Sequence, residues 1–318
     1  MYNMIIIRDL KTLQPISSIY KIWFAYRIRL ENLMIYLKSF TFPNAEAEFN
    51  FFMSVQRTCY DSFYPFQILS KNELDRLDFD TVTILYGGNG SGKSTALNVI
   101  AEKARLRRDS VYNKSNFFPD YVEMCGMNME EEITSSSRII TSDDVFDYML
   151  NIRNLNEGID LKREELFDEY LDAKYSHFQL KSMADYDQLK KVNNSRRKTQ
   201  SRFVRGELMD NVREYSNGES AFLYFTEKIQ ENGLYLLDEP ENSLSPKRQA
   251  ELLSFLEESA RFFGCQFIIS THSPFLLSMR GARIYNLDKN PARIERWTDL
   301  ENVRSYYDFI KMHEREFL

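Results

Sequence analysis

GGNGSGKST, residues 87–95, decides how the rest of the chain is read. It satisfies G-x-x-x-x-G-K-[ST], and its flanks supply the context that pattern needs. TVTILYG (81–87) is short, β-branched and closed by glycine, while STALNVIAEKARL (94–106) follows a helical pattern. Strand, loop and helix in that order curl the backbone of Gly87, Gly88, Asn89, Gly90, Ser91, Gly92, Lys93, Ser94 and Thr95 around a phosphate at a helix N-terminus. There Lys93 would reach the β- and γ-phosphates, and the Ser94 hydroxyl would bind Mg²⁺. A glycine-rich turn matching by chance is the competing reading, and strand and helix together weigh against it.

Downstream, GLYLLDEP (233–240) and CQFIIST (265–271) are nearly continuous apolar runs, as parallel strands covered on both faces should be. Between them SPKRQAELLSFLEESARFFG (245–264) reads as a helix, with Ser245 as cap, Pro246 at the first position and Gly264 as the stop. Strand, helix, strand predicts a right-handed parallel crossover. Upstream, MIYLKSFTFP (34–43) alternates as a half-buried strand, and ARIYNLDKNPARIERW (282–297) reads as a strand hairpin. From about 104 to 215 the chain is charged, glycine-poor and helical in pattern, an insertion read as a helical lobe. The predicted fold is therefore α/β, with a mostly parallel core sheet.

The chemistry-bearing residues follow the strands. Asp238 ends a buried strand, where a carboxylate can hold Mg²⁺ through its water shell; Glu239 beside it can orient and deprotonate an attacking water. The alternative is that both merely open a loop. His272, in STHSP (270–274), follows the neighbouring strand and so points to the same crevice, at the γ-phosphate and the attacking water. YSNGES (215–220) enters the helical run ESAFLYFTEKIQENG (219–233). Read alone it is a helix cap. Beside a phosphate loop it is a second anion site, with the Ser216 hydroxyl and Gly218 N–H facing the γ-phosphate bound to another copy.

Gross composition narrows the classes. Of 318 residues, 43% are hydrophobic and 28% charged, enough to build a core. A net charge of −6 argues against a surface that is basic throughout. KKVNNSRRKTQSRFVR (190–205) nevertheless holds no acid, and is read as a solvated helical face, a partner contact or a nucleic-acid contact with Phe203 available to stack. Three scattered cysteines and three unclustered histidines point to a reduced, cytoplasmic protein without a zinc site. IYKIWFAYRIRL (19–30) is broken by Lys21, Arg27 and Arg29, so no membrane insertion is expected. Residues 1–33 are either a helical extension or upstream sequence from a misassigned start.

The phosphate loop, SNGES, LLDEPENSLSP and THSP in this order resemble an ABC-type ATPase related to SMC and recombination ATPases, in particular small stand-alone bacterial AAA-family members. The resemblance covers most of 34–318 and is weakest over 104–215. It implies a P-loop NTPase of the ABC head type, with an antiparallel N-terminal β part and a helical lobe. By position it implies Gly87–Thr95 as Walker A, and Ser216, Asn217, Gly218 and Glu219 as the signature used in trans. It also implies Asp238 and Glu239 as Walker B and catalytic glutamate, His272 as the switch histidine, and Glu241–Pro246 as the D-loop. Asn217, Glu219 and Ser245 depart from the transporter pattern; no clear Q-loop glutamine follows, and TSDDVF (141–146) stands in its place, with Asp143 or Asp144 near the metal.

The function this implies is ATP hydrolysis by a homodimer closing on two Mg-ATP, a switch for an unknown protein partner or nucleic acid. A regulatory ATPase subunit of a defence or toxin system is the alternative, and a transporter's nucleotide-binding subunit the third.

Overall fold

The computed structural model describes residues 34–56, 59–176, 186–208, 211, 217–242 and 244–317. The expected extension over 1–33 lies outside them. The chain divides into two compact units, one built from the residues before 143 and after 224, the other from Asp143–Tyr224.

The first unit carries two sheets. In the smaller, β1 (Leu37–Thr41) lies between β2 (Arg76–Asp78) and β4 (Gly126–Met129), antiparallel to both. Helix α1 (Ala45–Ser54) follows β1 and is capped by Asn44, whose side chain accepts from the Ala47 N–H. The larger sheet has the order β5-β6-β7-β3-β8-β9, formed by β3 (Val82–Tyr86), β5 (Arg138–Thr141), β6 (Leu234–Asp238), β7 (Gln266–Ser270), β8 (Arg283–Asn286) and β9 (Arg293–Ile294). Its neighbours are parallel except β9, the antiparallel return of the expected hairpin.

Register puts the functional ends side by side. Thr141 pairs with Asp238, Asp238 with Ser270, and Ser270 with Leu85, so the strands stop along one line. Open parallel sheets bind ligands outside such carboxyl ends. Helix α2 (Lys93–Lys103) leaves that edge and packs on the sheet through Leu97 and Ile100, both fully buried. Helix α8 (Pro246–Phe262) supplies the crossover from β6 to β7, with Ser245 capping it as its sequence predicts. The short helix α9 (Pro274–Leu277) follows β7, and helix α10 (Glu301–Met312) follows the hairpin.

One core joins the sheets. Leu37, Phe40 and Leu77 of the antiparallel sheet share it with Leu85, Leu236 and Ile268 of the parallel sheet, while Tyr121, from α3 (Phe118–Met124), lies in the same cluster. Polar side chains stitch the sheets through it: Tyr285 Oη of β8 accepts from the Asp78 N–H of β2 at 3.0 Å and donates to Asp78 O at 2.9 Å, and Gln266 of β7 makes more such bonds. The fully buried Gln266 accepts at Oε1 from the N–H groups of Tyr36 and Leu37, both at 2.8 Å, and donates from Nε2 to Leu37 O (2.8 Å) and Asp80 O (3.1 Å).

The helical unit is narrower than the expected 104–215. Residues 126–129 and 138–141 are β4 and β5, one in each sheet, and the unit starts at Asp143. Four-residue strands such as GMNM and RIIT are too short to show a period against charged surroundings. The unit holds most of α4 (Ser142–Tyr175), then α5 (Tyr186–Arg197), α6 (Gln200–Glu207) and the start of α7 (Asn217–Lys228). Phe203, expected to be available for base stacking, is instead buried with Leu166, Tyr170 and Val204, its ring 5.5 Å from that of Tyr170. Adjacent Phe203 and Val204 form the core face of an otherwise basic, polar helix, so burial takes the aromatic ring.

Replacing Gln266 with Leu leaves buried backbone groups of Tyr36, Leu37 and Asp80 unpaired. The expected loss of stability is about 3–5 kcal/mol, read by urea denaturation. A change under about 1 kcal/mol would show that this stitch does not hold the sheets.

Candidate functional site

The loop between β3 and α2 is shaped by its glycines. Gly90 and Gly92 take φ of +83° and +95°, and a Cβ on Gly92 would fall 2.7 Å from Leu69 Cδ2. Asn72 Nδ2 donates to Ser91 O at 3.0 Å, bracing the loop from outside. On the other flank the Gly88 N–H donates to Asp288 Oδ1 at 2.7 Å. Tyr64 Oη donates to Thr95 Oγ1 at 3.2 Å.

Lys93 is only 4% exposed and folds back over the loop, donating to Gly87 O at 2.7 Å and Gly88 O at 3.1 Å. Burial lowers its pKa, opposed chiefly by the Glu239 and Asp238 carboxylates. Its Nζ stands 3.9 Å from Glu239 Oε1. The Ser94 hydroxyl donates to Asp238 Oδ1 at 3.0 Å, and the Ser270 hydroxyl donates to the same oxygen. Burial raises the Asp238 pKa despite these two donors. A cation or phosphate entering here meets groups already taken out of water, where electrostatic interactions are strong.

The turn after β6 is tight. Glu239 adopts φ of +48°, the left-handed region that costs a non-glycine residue about 1–2 kcal/mol. Its N–H donates to Ser270 O at 3.0 Å, and Asn242 Nδ2 donates to its Oε2 at 3.1 Å. That leaves Oε1 toward Lys93 and, 3.5 Å away, His272 Nε2. Among the described residues His272 Nε2 and Ser91 Oγ are buried without a hydrogen-bond partner. The 3.5 Å separation from Glu239 is thus charge proximity for a protonated ring, too poor in geometry for a bond.

Gly87–Thr95, Asp238, Glu239 and His272 therefore share one edge of the first unit. Asn217, Gly218 and Glu219, expected as part of the signature, belong to the helical unit instead. Ser216 lies outside the described residues; Asn217 opens α7 and accepts from Arg153 at 2.6 Å, with Gly218 and Glu219 in the same first turn. TSDDVF falls at the β5–α4 junction, where Asp144 is buried. Sequence reasoning missed Asp288 and Tyr64. Asp288 sits in a stretch read only as a hairpin turn, about two hundred residues from the loop it holds, with no local signal. Tyr64 stands among many aromatic residues and nothing singles it out.

A family model described as "ABC transporter" matches residues 76–242, from β2 to just past β6. A second, "AAA domain, putative AbiEii toxin, Type IV TA system", matches 211–278. No curated protein matches. Among solved structures, a dimeric ATP-binding cassette in a post-hydrolysis state, bound to ADP and phosphate, is 14% identical. The comparison covers 71% of this chain and 90% of that one, with a TM-score of 0.34. The Smc head domain of Pyrococcus furiosus, with an extended coiled coil and bound to the C-terminal domain of ScpA, is 12% identical. There 75% of this chain and 95% of that one are covered, with a TM-score of 0.35.

The left-handed turn makes a stability prediction. Ala normally outranks Gly by about 0.4–1 kcal/mol through the unfolded chain. At position 239 the order should reverse, Glu239→Gly being more stable than Glu239→Ala by about 0.5–1 kcal/mol in urea without nucleotide. The usual order would mean the turn relaxes.

Proposed function

The chain belongs to the ABC transporter family and is an ABC-type ATPase, and from that premise we propose a switch that closes as a homodimer on two Mg-ATP. The observation that carries this reading is the convergence of Lys93, Ser94, Asp238, Glu239 and His272 at the carboxyl ends of β3, β6 and β7. In this reading residues 34–318 form one ATPase domain with a helical insertion, acting in the cytoplasm.

The roles follow from the chemistry of each group. Backbone N–H groups of Gly87–Thr95 cradle the phosphates, and Lys93 exchanges Gly87 O and Gly88 O for β- and γ-phosphate oxygens. Ser94 Oγ and Asp238 Oδ1 are hard oxygen donors 3.0 Å apart, a pair suited to an ion that takes its remaining ligands from phosphate and water. Among the described residues no group of three or more His, Cys, Asp or Glu side chains is placed to hold a metal alone, which fits an ion arriving with the nucleotide. When bound, Mg²⁺ would neutralise charge on the phosphates. Glu239 takes the proton of the attacking water as its oxygen bonds to the γ-phosphorus and the bond to the leaving ADP oxygen breaks. His272, its Nε2 unpartnered, donates to the γ-phosphate.

The signature, Ser216–Glu219, completes the site from a second copy. What supports this is the α7 N-terminus, whose first-turn N–H groups form a second anion site on a chain whose own phosphate loop already receives the nucleotide. The cycle would act through the helical unit, where Lys190, Lys191, Arg196, Arg197, Lys198, Arg202 and Arg205 are exposed, a face for a nucleic acid or an acidic protein. A second reading, a regulatory subunit of a toxin-type system, is favoured by the description of the family matched over 211–278. A third reading, the nucleotide-binding subunit of a transporter, has the description of the family matched over 76–242 behind it. Among the described residues no helix is long and apolar enough to cross a membrane.

The test is solution molar mass. Glu239→Gln should cut hydrolysis at least about 100-fold and double in mass only with Mg-ATP. Lys93→Ala should fail to bind ATP and stay monomeric. Unchanged mass of an ATP-bound Glu239→Gln protein would overturn the dimeric switch.

A further inference from the structure

The loop carrying His272 is held by a carboxylate that the roles above leave without a task. Glu241 Oε1 accepts three hydrogen bonds, from Thr271 Oγ1 at 2.7 Å, the His272 N–H at 2.6 Å and the Ser273 N–H at 3.1 Å. Thr271 and Ser273 are buried. The other oxygen, Oε2, is buried and has no hydrogen-bond partner among the described residues. Burial raises the Glu241 pKa against the opposing pull of those donors.

The geometry points to Glu241 as a positioning residue, a clamp from the turn after β6 that sets where the His272 imidazole stands relative to Glu239. The inference rests on the ATPase reading above and deepens it. The His272 peptide is fixed at both ends by side chains from different elements: Glu241 takes its N–H, and Asn302 of α10 donates to its C=O at 2.9 Å. The ring stands edge-on to Tyr86, centroids 6.4 Å apart, and its Nε2 lies 3.5 Å from Glu239 Oε1. Only Pro240 separates Glu239 from Glu241, and the Glu239 N–H is itself bonded to Ser270 O. Base and histidine are thus referenced to one short turn. Without Glu241 the His272 N–H loses its acceptor and the Ser273 N–H keeps only Thr271 Oγ1, at 3.0 Å, so the loop must turn to find another.

A merely structural clamp would lower stability and leave the proportions of the kinetic constants alone. A positioning clamp acts through His272. Glu241→Ala should therefore lower kcat for ATP by about 10- to 100-fold with KM little changed. Glu241→Gln, which keeps an acceptor oxygen, should recover most of that loss. In a His272→Ala background Glu241→Ala should cost almost nothing more. An activity-independent readout accompanies these assays: His272 ring NMR resonances, assigned by their loss in His272→Ala, should move in Glu241→Ala and far less in Glu241→Gln. Wild-type kcat in Glu241→Ala, multiplied losses in the double variant, or unmoved ring resonances would each overturn the inference. A wild-type protein that does not hydrolyse ATP would sink the ATPase reading instead, and the ring resonances would still decide the clamp. If Glu241→Ala fails to fold, Glu241→Asp, whose shorter side chain withdraws the acceptor from the His272 N–H, takes its place, and unmoved His272 resonances in it would overturn the inference.

Discussion

A carboxylate taken out of water at the end of a strand is the constraint on which this site depends. Asp238 is the last residue of β6, between β5 and β7, and burial pushes it toward its neutral form. Two hydroxyls, Ser94 and Ser270, are what hold it in place. Lys93 is pressed the opposite way, its ammonium disfavoured by the same burial. An acid and a base thus meet at one edge, each with its charged form disfavoured by burial. Groups perturbed in this manner by desolvation cluster where proteins bind and transform ligands.

That arrangement requires a sheet whose strands end in register and a loop that cannot sag away from it. The register of β3, β6 and β7 satisfies the first requirement through parallel ladder bonds. The second is met by contacts from outside the loop: Asn72, Tyr64 and Asp288 each bond to it, from before β2, from before α2 and from beyond β8. Gln266 extends the same logic to the scaffold. Its amide satisfies four backbone groups between the sheets, where an apolar side chain of similar size would satisfy none.

What sequence made legible follows from this division. Gly87–Thr95, Asp238, Glu239 and His272 could be singled out because the residue types expected for phosphate binding and water activation stand beside strand and helix signals, and the structure brings Lys93, Ser94, Asp238, Glu239 and His272 together. The long strands and α8 announced themselves by composition and caps. Their supports did not. Gln266 and Tyr36 are 230 positions apart, and Gly88 and Asp288 are 200 apart, separations at which one sequence holds no pairing information. Strands β4 and β5 were too short to show a period. Phe203 was misread because its residue type suggested stacking, while its position beside Val204 on an amphipathic helix meant burial. Ser216 lies outside the described residues.

The turn after β6 shows how little backbone must move for the site to communicate. Residues 238–241 and 270–273 are cross-linked at close intervals: Asp238 to the Ser270 hydroxyl, Glu239 N–H to Ser270 O, and Glu241 to Thr271, His272 and Ser273. The phosphate loop reaches this pair through Ser94 and Lys93. Leu244 N–H bonds to Glu241 O, and Ser245 next to it caps α8. A nucleotide that draws Lys93 away from Gly87 O and Gly88 O also changes the field at Glu239. The left-handed turn at Glu239 cannot absorb that change by drifting, since few neighbouring conformations are open to an L-residue there. The bonds of this turn run on to the histidine loop on one side and to the start of α8 on the other, so both are tied to the phosphate loop through a strained turn rather than a flexible one.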